Sequence, residues 1–256
     1  MMNDLEFALQ LADTADEISL ERFRSLDLAI ETKPDRTPVT DADRAVESKL
    51  RELIARQRPA DAVIGEEFEN SPASHREWIV DPIDGTADFL RGIPIWATLI
   101  ALRIDGELAL SVVSAPALSR RWWAQSGAGA FTKDLDNSVR GISVSKVAEL
   151  SSAYVSYNSI QQWNQVGKAE QIVALSDKVW RTRAFGDFLS YMYVAEGLID
   201  VASEPDLKIY DIAALVPIVR EAGGRFTALD GELTDNSSVV LATNGLLHEQ
   251  FRSAMS

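Results

Sequence analysis

The stretch from residue 78 to residue 86 constrains the fold more than any other part of this chain. It reads Trp-Ile-Val-Asp-Pro-Ile-Asp-Gly-Thr, so an apolar run leads into two aspartates, Asp81 and Asp84, and then into a glycine. The apolar run predicts a buried strand, and Gly85 with Thr86 predicts a turn into a short helix that stops at Gly92. Backbone N–H groups at such a helix start can bind phosphate. The stretch therefore predicts a strand–turn–helix unit with two carboxylates at its turn.

The oxygen atoms of this turn favour a divalent metal ion. Hard cations such as Mg²⁺ bind carboxylate and carbonyl oxygens, and the turn offers Asp81, Asp84 and the backbone carbonyl of Ile83. A plain Asp-Gly turn is the alternative, but here the strand, both aspartates and Thr86 occur together. A covalent aspartyl-phosphate is disfavoured, because its two aspartates typically lie two residues apart and project the same way. A metal-activated water is the better nucleophile.

Three other acidic positions could join the same site. Glu66, with Glu67, follows the short apolar strand at residues 62–64, although two glutamates in a loop are commonplace. Asp43 begins a predicted helix, where Thr40 and an acid three residues later also match a capping arrangement. Asp211 precedes another predicted helix, which it could simply cap. Each position is weak evidence when it is taken alone.

The hydrophobic pattern predicts an α+β N-terminal half, residues 1–140, and an α/β C-terminal half, residues 141–256. Apolar spacing of helical period predicts helices at 5–23, 41–57, 165–175, 188–196, 212–222 and 246–255. Short apolar runs predict strands at 62–64, 78–80, 97–104, 108–113, 154–156, 179–183, 199–201 and 239–242. Residues 125–129 read as a turn. We expect the first half to bind metal and phosphate and the second half to complete the active site.

Composition excludes several kinds of site. The 256 residues include no cysteine and two histidines, His75 and His248, both expected on the surface, so thiolate nucleophiles, the usual zinc sites and a serine–histidine triad are disfavoured. The formal charge of −14 disfavours binding to nucleic acid or to anionic membranes. The acidic start of the chain lacks a signal-peptide pattern, and no apolar run approaches membrane-spanning length. These features predict a cytoplasmic protein.

Taken together, these motifs resemble the inositol monophosphatase family, which includes metal-dependent histidinol-phosphate phosphatases of bacteria and plants. The resemblance covers nearly the whole chain and rests on Lys33, residues 39–43, 65–67 and 81–86, and Asp211 before residues 221–224. It implies a layered α/β sandwich, a metal-dependent phosphatase activity and a homodimer.

The resemblance also implies roles for individual residues. Two or three Mg²⁺ ions would be ligated by Glu66, Asp81, the carbonyl of Ile83, Asp84 and Asp211. Asp43, Thr86 and Glu66 would be catalytic, with Asp43 and Thr86 orienting and deprotonating the attacking water. The substrate would be bound by Asp84, Gly85, Thr86, Asp187, Glu204 and Asp211. Asp41 does not occupy the family's aspartate position and is left out of the site.

Asp187 bears on the choice of substrate. Histidinol-phosphate phosphatases are most similar to this chain at residues 184–191 and 204–211, and Asp187 stands where inositol phosphatases typically carry a small neutral residue. A carboxylate facing the leaving group suits a cationic amino alcohol better than a neutral polyol, which favours L-histidinol phosphate, an intermediate of histidine biosynthesis. Asp187 as a helix N-cap and Glu204 as a solvated loop acid are the alternatives for these residues. Inositol-1-phosphatase, a relaxed sugar-phosphate phosphatase and a partner protein in a transcription complex are the alternative functions.

Overall fold

Two β-sheets with helices between and outside them organise the chain. The structure is a computed structural model that describes residues 2–32 and 38–256, so Lys33 and most of the polar segment around it lie outside the described residues. The helices are α1 (Asp4–Arg22), α2 (Asp41–Gln57), α3 (Thr86–Arg91), α4 (Ile160–Gln165), α5 (Ala169–Leu175), α6 (Asp187–Ala195), α7 (Ile209–Ile212), α8 (Leu215–Glu221) and α9 (His248–Ala254). None of these helices combines the length and the apolar composition needed to cross a bilayer.

The strands form one large sheet, one smaller sheet and a two-stranded ribbon. Their bounds are β1 (Ile30–Thr32), β2 (Pro38–Thr40), β3 (Ala62–Gly65), β4 (Arg76–Asp84), β5 (Ala97–Ile104), β6 (Glu107–Ala115), β7 (Arg120–Gln125), β8 (Gly129–Lys133), β9 (Val139–Gly141), β10 (Tyr154–Ser156), β11 (Arg181–Arg183), β12 (Val201–Pro205), β13 (Arg225–Ala228) and β14 (Val239–Thr243). The large sheet runs in the order β3-β4-β5-β6-β7-β8-β9, and the smaller sheet in the order β11-β10-β12-β14-β13.

The register of β3 and β4 matters for the site. The two strands are parallel, with Gly65 opposite Val80, so the next residues along the chain, Glu66 and Asp81, leave this pair side by side. In the smaller sheet, β12 carries Glu204 opposite Val240 of β14. Strands of both sheets therefore carry acidic residues that are candidates for the site.

Alternation along the strands builds a layered α/β sandwich, as expected from the resemblance. In β4, Trp78 and Val80 pack in a core with α1 and α2, while Ile79 faces the opposite way and packs in a core with α6 and α8. In β14, Val240 and Ala242 join the core of α6 and α8, and Leu241 packs with α4, α5 and α9. Side chains two residues apart in a strand share a face, so each sheet has a helical layer on both sides.

The two halves of the sequence share their central core. The cluster around α6 and α8 contains buried side chains from the large sheet, such as Leu99 and Trp122, and from the smaller sheet, such as Ala202 and Val240. The large sheet ends at Gly141 and the smaller sheet begins at Tyr154. A division into domains near residue 140 stays a prediction.

Several elements differ from the sequence pattern. The helix predicted at 165–175 forms only over α5 (Ala169–Leu175), because Gly167, with a φ of +72°, separates it from α4, which the pattern does not predict. The helix predicted at 212–222 begins later, as α8, and Ile212 instead ends the separate short helix α7. Strands β1, β2, β7, β8, β9 and β13 are not predicted by the pattern. In β7 the charged start hides the alternation, because Arg120 and Arg121 pair with acids of other elements.

His248 is not a surface residue, which corrects the expectation from sequence. Its side chain is fully buried and lies between the hydroxyls of Thr227 and Thr243, each 3.0 Å from a ring nitrogen. It begins α9, where the chain folds back on the smaller sheet. The residue is structural because its two nitrogens are occupied by core hydroxyls.

Candidate active site

The junction of β4 and α3 forms as the sequence predicts and carries two of the acids. The register of β4 against β5 shifts between Asp81 and Asp84, which marks a bulge at the end of the strand. Gly85 has a φ of +87°, and a Cβ at this position would lie 2.8 Å from the carbonyl oxygen of Ile95. Only glycine fits this turn without displacing the backbone. Helix α3 then begins at Thr86 and is capped at its end by Gly92.

Asp81, Asp84 and Asp211 form one cluster of carboxylates, called here the aspartate cluster. Each of them places an oxygen within 4.8 Å of oxygens of the other two. Asp211 reaches the cluster from α7, where its Oδ2 also accepts a hydrogen bond of 2.5 Å from the N–H of Lys208. Asp211 is thus the third residue of α7 and bonds back to its N-cap residue, Lys208, so the simpler interpretation, in which it caps the helix that follows it, is wrong.

Burial and mutual repulsion raise the pKa values of the aspartate cluster. Burial, followed by the charges of Glu66 and of Asp84, raises the pKa of Asp81 well above its usual range. Burial and the charge of Asp187 do the same to the pKa of Asp84, and burial raises the pKa of Asp211 to about 7. Among residues 2–32 and 38–256, no lysine or arginine pairs with any of these three. Such a set of oxygen donors fits a hard divalent cation.

The carbonyl of Ile83 and the hydroxyl of Thr86 lie next to the aspartate cluster. The Oγ1 of Thr86 donates to the oxygen of Ile83 at 3.0 Å and lies 3.3 Å from Oδ1 of Asp43. The hydroxyl has one hydrogen, so it serves these two acceptors alternately and keeps lone pairs free to accept. Thr86 therefore joins the turn of β4 to the start of α2.

Asp43 has a capping role and a place at the site. Its Oδ2 accepts from the backbone N–H of Thr40 at 2.8 Å and from the Thr40 hydroxyl at 2.5 Å, which completes the predicted capping arrangement of α2. Its other oxygen remains for Thr86. Burial is the main cause that raises the pKa of Asp43. Asp41, which the sequence leaves out of the site, pairs with Arg22 instead.

Glu66 lies beside the aspartate cluster but outside its tightest group. It is half-buried, and its charge contributes to the raised pKa of Asp43, Asp81 and Asp211. Its influence on all three carboxylates indicates that it faces the same space.

Asp187 is the first residue of α6 and lies close to the turn between β4 and α3. Gly186 occupies the N-cap position of this helix, so the interpretation of Asp187 as the N-cap is wrong. Its φ of +47° is unusual for a residue with a side chain. A Cβ on Gly85 would lie 3.3 Å from Oδ2 of Asp187, and the next N–H, of Phe188, donates to Asp84 at 2.8 Å. Burial and the charge of Asp88 raise the pKa of Asp187 to about 6.

Glu204 is buried in β12, so its interpretation as a solvated loop acid is also wrong. The side-chain amide of Asn158 donates to its Oε1, and the hydroxyl of Tyr191 lies 3.4 Å from its Oε2. Burial and the charge of Asp187 raise the pKa of Glu204. Neither Asn158 nor Tyr191 is predicted from the sequence as a site residue. Tyr191 lies four residues after Asp187 on α6, a spacing that indicates a shared helix face; no local signal marks Asn158.

The profile of the inositol monophosphatase family matches residues 2–256 of this chain. A histidinol-phosphatase of Mycobacterium tuberculosis is 55% identical over 97% of this chain and 96% of that protein. A histidinol-phosphatase of Streptomyces coelicolor is 47% identical over 97% of this chain and 95% of that protein. Among solved structures, an inositol monophosphatase of Zymomonas mobilis has a TM-score of 0.85 and 33% identity, covering 98% of this chain and 97% of that one.

Proposed function

The chain belongs to the inositol monophosphatase family, and from this premise we propose that it hydrolyses L-histidinol phosphate with Mg²⁺ as its cofactor. It is a phosphatase of a metal-dependent family. The observation that carries the proposal is the convergence of Asp81, Asp84 and Asp211. This convergence gives the chain a place where cations can meet a phosphate monoester.

The residues that would hold the metal are Glu66, Asp81, Asp84, Asp211 and the carbonyl of Ile83, for two or three ions. Mg²⁺ bound there would screen the phosphate, lower the pKa of a bound water and stabilise the leaving oxygen. The carboxylates would in turn keep the loaded site near charge balance. A calorimetric titration with Mg²⁺ gives the number of ions.

Asp43 and Thr86 would orient the water that attacks phosphorus. The Thr86 hydroxyl donates to Ile83 or Asp43, so its free lone pair would accept a hydrogen bond from the water. Asp43 would take up the proton through this pair, while Glu66 would hold the water from the other side. The water oxygen would then bond to phosphorus as the ester P–O bond breaks; the leaving oxygen would take a proton from solvent, and Asp43 would return its proton to solvent.

Gly85 and Thr86, at the start of α3, would face the phosphate with their backbone N–H groups. Asp84 and Asp211 would contact it as well as the metal. Only glycine fits the backbone at position 85, because a Cβ there would lie 2.8 Å from the carbonyl oxygen of Ile95.

Asp187 and Glu204 would bind the organic part of the substrate. Glu204 is buried and Asp187 half-buried, and the pKa of each is raised, so a cationic group would replace lost hydration and restore their charge. L-histidinol carries an ammonium group and an imidazole, whereas inositol carries neither. The names of the relatives that are 55% and 47% identical support this choice.

A panel of phosphate esters tests the substrate. Released phosphate is measured with L-histidinol phosphate, inositol 1-phosphate and p-nitrophenyl phosphate. We expect the highest kcat/KM with L-histidinol phosphate. Equal or faster turnover of inositol 1-phosphate would remove the assignment and favour the second candidate, an inositol-1-monophosphatase, which the likeness to the Zymomonas mobilis structure suggests.

The variant Asp187→Asn tests how the amine is recognised. It keeps the size of the side chain and removes its charge, so kcat/KM should fall at least about tenfold for L-histidinol phosphate, corresponding to roughly 1.4 kcal/mol, and much less for p-nitrophenyl phosphate. Asp136→Asn, in an exposed turn between β8 and β9, is the matched control. Equal losses on both esters would mean that Asp187 has only a structural role.

We also propose a cytoplasmic homodimer that binds neither nucleic acid nor membrane. Light scattering on the purified chain gives its mass in solution. A monomer at micromolar concentration would contradict the dimer.

A further inference from the structure

Glu47 is a fully buried acid that the proposed chemistry does not use. It lies on α2 one helical turn after Asp43 and has no exposed surface. Its Oε2 accepts a hydrogen bond of 2.7 Å from the N–H of Glu67, and its Oε1 accepts one of 2.8 Å from Nε of Arg51. Burying a carboxylate is unfavourable unless it is paired and hydrogen-bonded. Both of its oxygens are satisfied by this arrangement, and one of the donors belongs to the loop after β3.

Arg51, one helical turn after Glu47, contacts the same loop at Phe68. Its Nη2 lies 3.3 Å from the carbonyl oxygen of Phe68, and its guanidinium lies 6.0 Å from the centre of the Phe68 ring. Asp43, Glu47 and Arg51 are each four residues apart, so they share one face of α2. This face therefore holds the loop at residues 66–68 by two main-chain groups.

The absence of a side chain at Gly65 makes room for the carboxylate of Glu47. A Cβ at residue 65 would lie 2.0 Å from Oε1 of Glu47 and 2.4 Å from its carboxyl carbon. The N–H of Gly65 donates to the side chain of Asn70 at 3.2 Å. The N–H groups before and after Glu66 are thus both bonded to side chains, which restricts the backbone that carries the Glu66 carboxylate.

We propose that Glu47 and Arg51 are positioning residues that fix Glu66 for metal binding. The inference rests on the proposed function, because it takes Glu66 as a ligand of Mg²⁺. The same helix also carries Asp43, so the Glu47–Arg51 pair sets the distance between the metal ligand and the residue that orients the water. Groups that hold a ligand in place typically change metal affinity about 10- to 100-fold when they are altered.

Calorimetric titration with Mg²⁺ alone, without substrate, tests the inference on the full chain. Glu47→Gln keeps the size of the side chain but removes the charge that Arg51 pairs with. We expect its Kd for Mg²⁺ to rise about tenfold or more, and half-maximal phosphatase activity to need correspondingly more Mg²⁺. Glu52→Gln is the matched control, since it breaks the exposed pair with Lys49 on the same helix. The control should bind Mg²⁺ as the unaltered chain does.

The Kd for Mg²⁺ is measured at a temperature well below the Tm of each variant, so that a loss of folding is not mistaken for a loss of positioning. If Glu47→Gln does not fold, Arg51→Met replaces it, because it keeps an apolar stem near Phe68 and leaves Glu47 in place. A folded variant with lowered Tm but unchanged Kd for Mg²⁺ would overturn the positioning role while leaving the proposed function intact. An unaltered chain that binds no Mg²⁺ would overturn the proposed function itself, and this inference with it.

Discussion

Asp43 and Asp211 each bond to the backbone at the start of a helix and also lie at the candidate site. One oxygen of each carboxylate accepts from the backbone at the start of a helix. The other oxygen of Asp43 faces Thr86, and Asp211 belongs to the aspartate cluster. A capping pattern in a sequence therefore does not argue against a functional role, since the cap fixes the carboxylate in one orientation.

His248 makes the stability of the protein depend on pH. Burial, and then the charge of Arg225, lowers its pKa from 6.5 to about 4, although Glu249 acts in the opposite direction. The unfolded chain therefore binds a proton between pH 6.5 and 4 that the folded chain does not. Stability from this residue is complete above pH 6.5 and is lost as the pH falls toward 4.

The expected loss between pH 7.5 and pH 5 is about 2 kcal/mol at most, which is roughly 4–8 °C in Tm for a chain of this size. His248→Gln keeps a hydrogen-bonding side chain but cannot titrate, so its Tm should fall less over the same range. Comparing the two chains by thermal unfolding cancels the titration of the carboxylates. Parallel curves for both would contradict the lowered pKa.

At the same scale, the contacts of Glu204 show where local patterns fail. The sequence motif names Glu204, but its burial and its bonds to Asn158 and Tyr191 join residues far apart in the chain. A pattern of neighbours along the chain contains no information about which strand end faces which helix. For the same reason the sequence pattern does not mark Glu47, whose hydrogen-bond partner Glu67 lies in the loop after β3.

At the scale of elements, the turn from β4 to α3 is the part of the site that the sequence predicts best. Its strand, its glycine turn and its short helix can all be predicted from residues that are close together in the sequence. The six strands that the pattern does not predict, β1, β2, β7, β8, β9 and β13, depend instead on their partner strands, and β7 also on ion pairs to a helix. Arg121, for example, pairs with Asp16 of α1.

Gly85→Ala tests the steric demand of this turn. The new Cβ would lie 2.8 Å from the oxygen of Ile95, in a backbone conformation with φ of +87°. Gly106→Ala is a matched control, since Gly106 has the same φ of +87° but nothing within 4 Å of its Cβ. The control should lose about 1–2 kcal/mol of stability from conformation alone.

We expect Gly85→Ala to be less stable than this control by a further 1 kcal/mol or more, and to lose at least about tenfold in kcat, because Asp84 and Thr86 flank the shifted residue. Chemical unfolding and released phosphate measure the two effects. If both variants lose the same stability and keep full activity, the contact with Ile95 is not important for the site.

At the scale of the whole molecule, the site joins the two halves of the chain. Asp81 and Asp84 come from the large sheet, whereas Asp211 comes from α7 beyond the smaller sheet. Their like charges repel in a buried space, which the raised pKa values record. The metal-free protein is therefore destabilised at neutral pH by the same groups that would bind the ion.

Mg²⁺ should raise the Tm of the chain, and EDTA should reverse the rise. At about 100 times its Kd the ion stabilises by about 2.7 kcal/mol, or roughly 5–10 °C here. Asp211→Asn should have the opposite effects in the two states: an equal or higher Tm without metal, because a repelling charge is gone, and a much smaller rise with Mg²⁺. Asp230→Asn, an exposed acid, is the control. An unchanged rise in Asp211→Asn would exclude it as a ligand.

Neighbouring residues along the chain account for the features that the sequence predicts correctly. These are the period of the main helices and strands, the capping residues, the glycine turn after Asp84 and the absence of cysteine. They fixed the family, and with it the class of chemistry, because the acids stand at the ends of recognisable elements.

Which of these acids lie together depends on contacts between distant parts of the chain. The burial of Glu204 and His248, the hold of Glu47 on the loop of Glu66 and the raised pKa values of the aspartate cluster all arise from contacts between distant segments. Such contacts depend on how the sheets and helices pack, and the free energy of a buried charge depends on everything around it, not on its place in a motif.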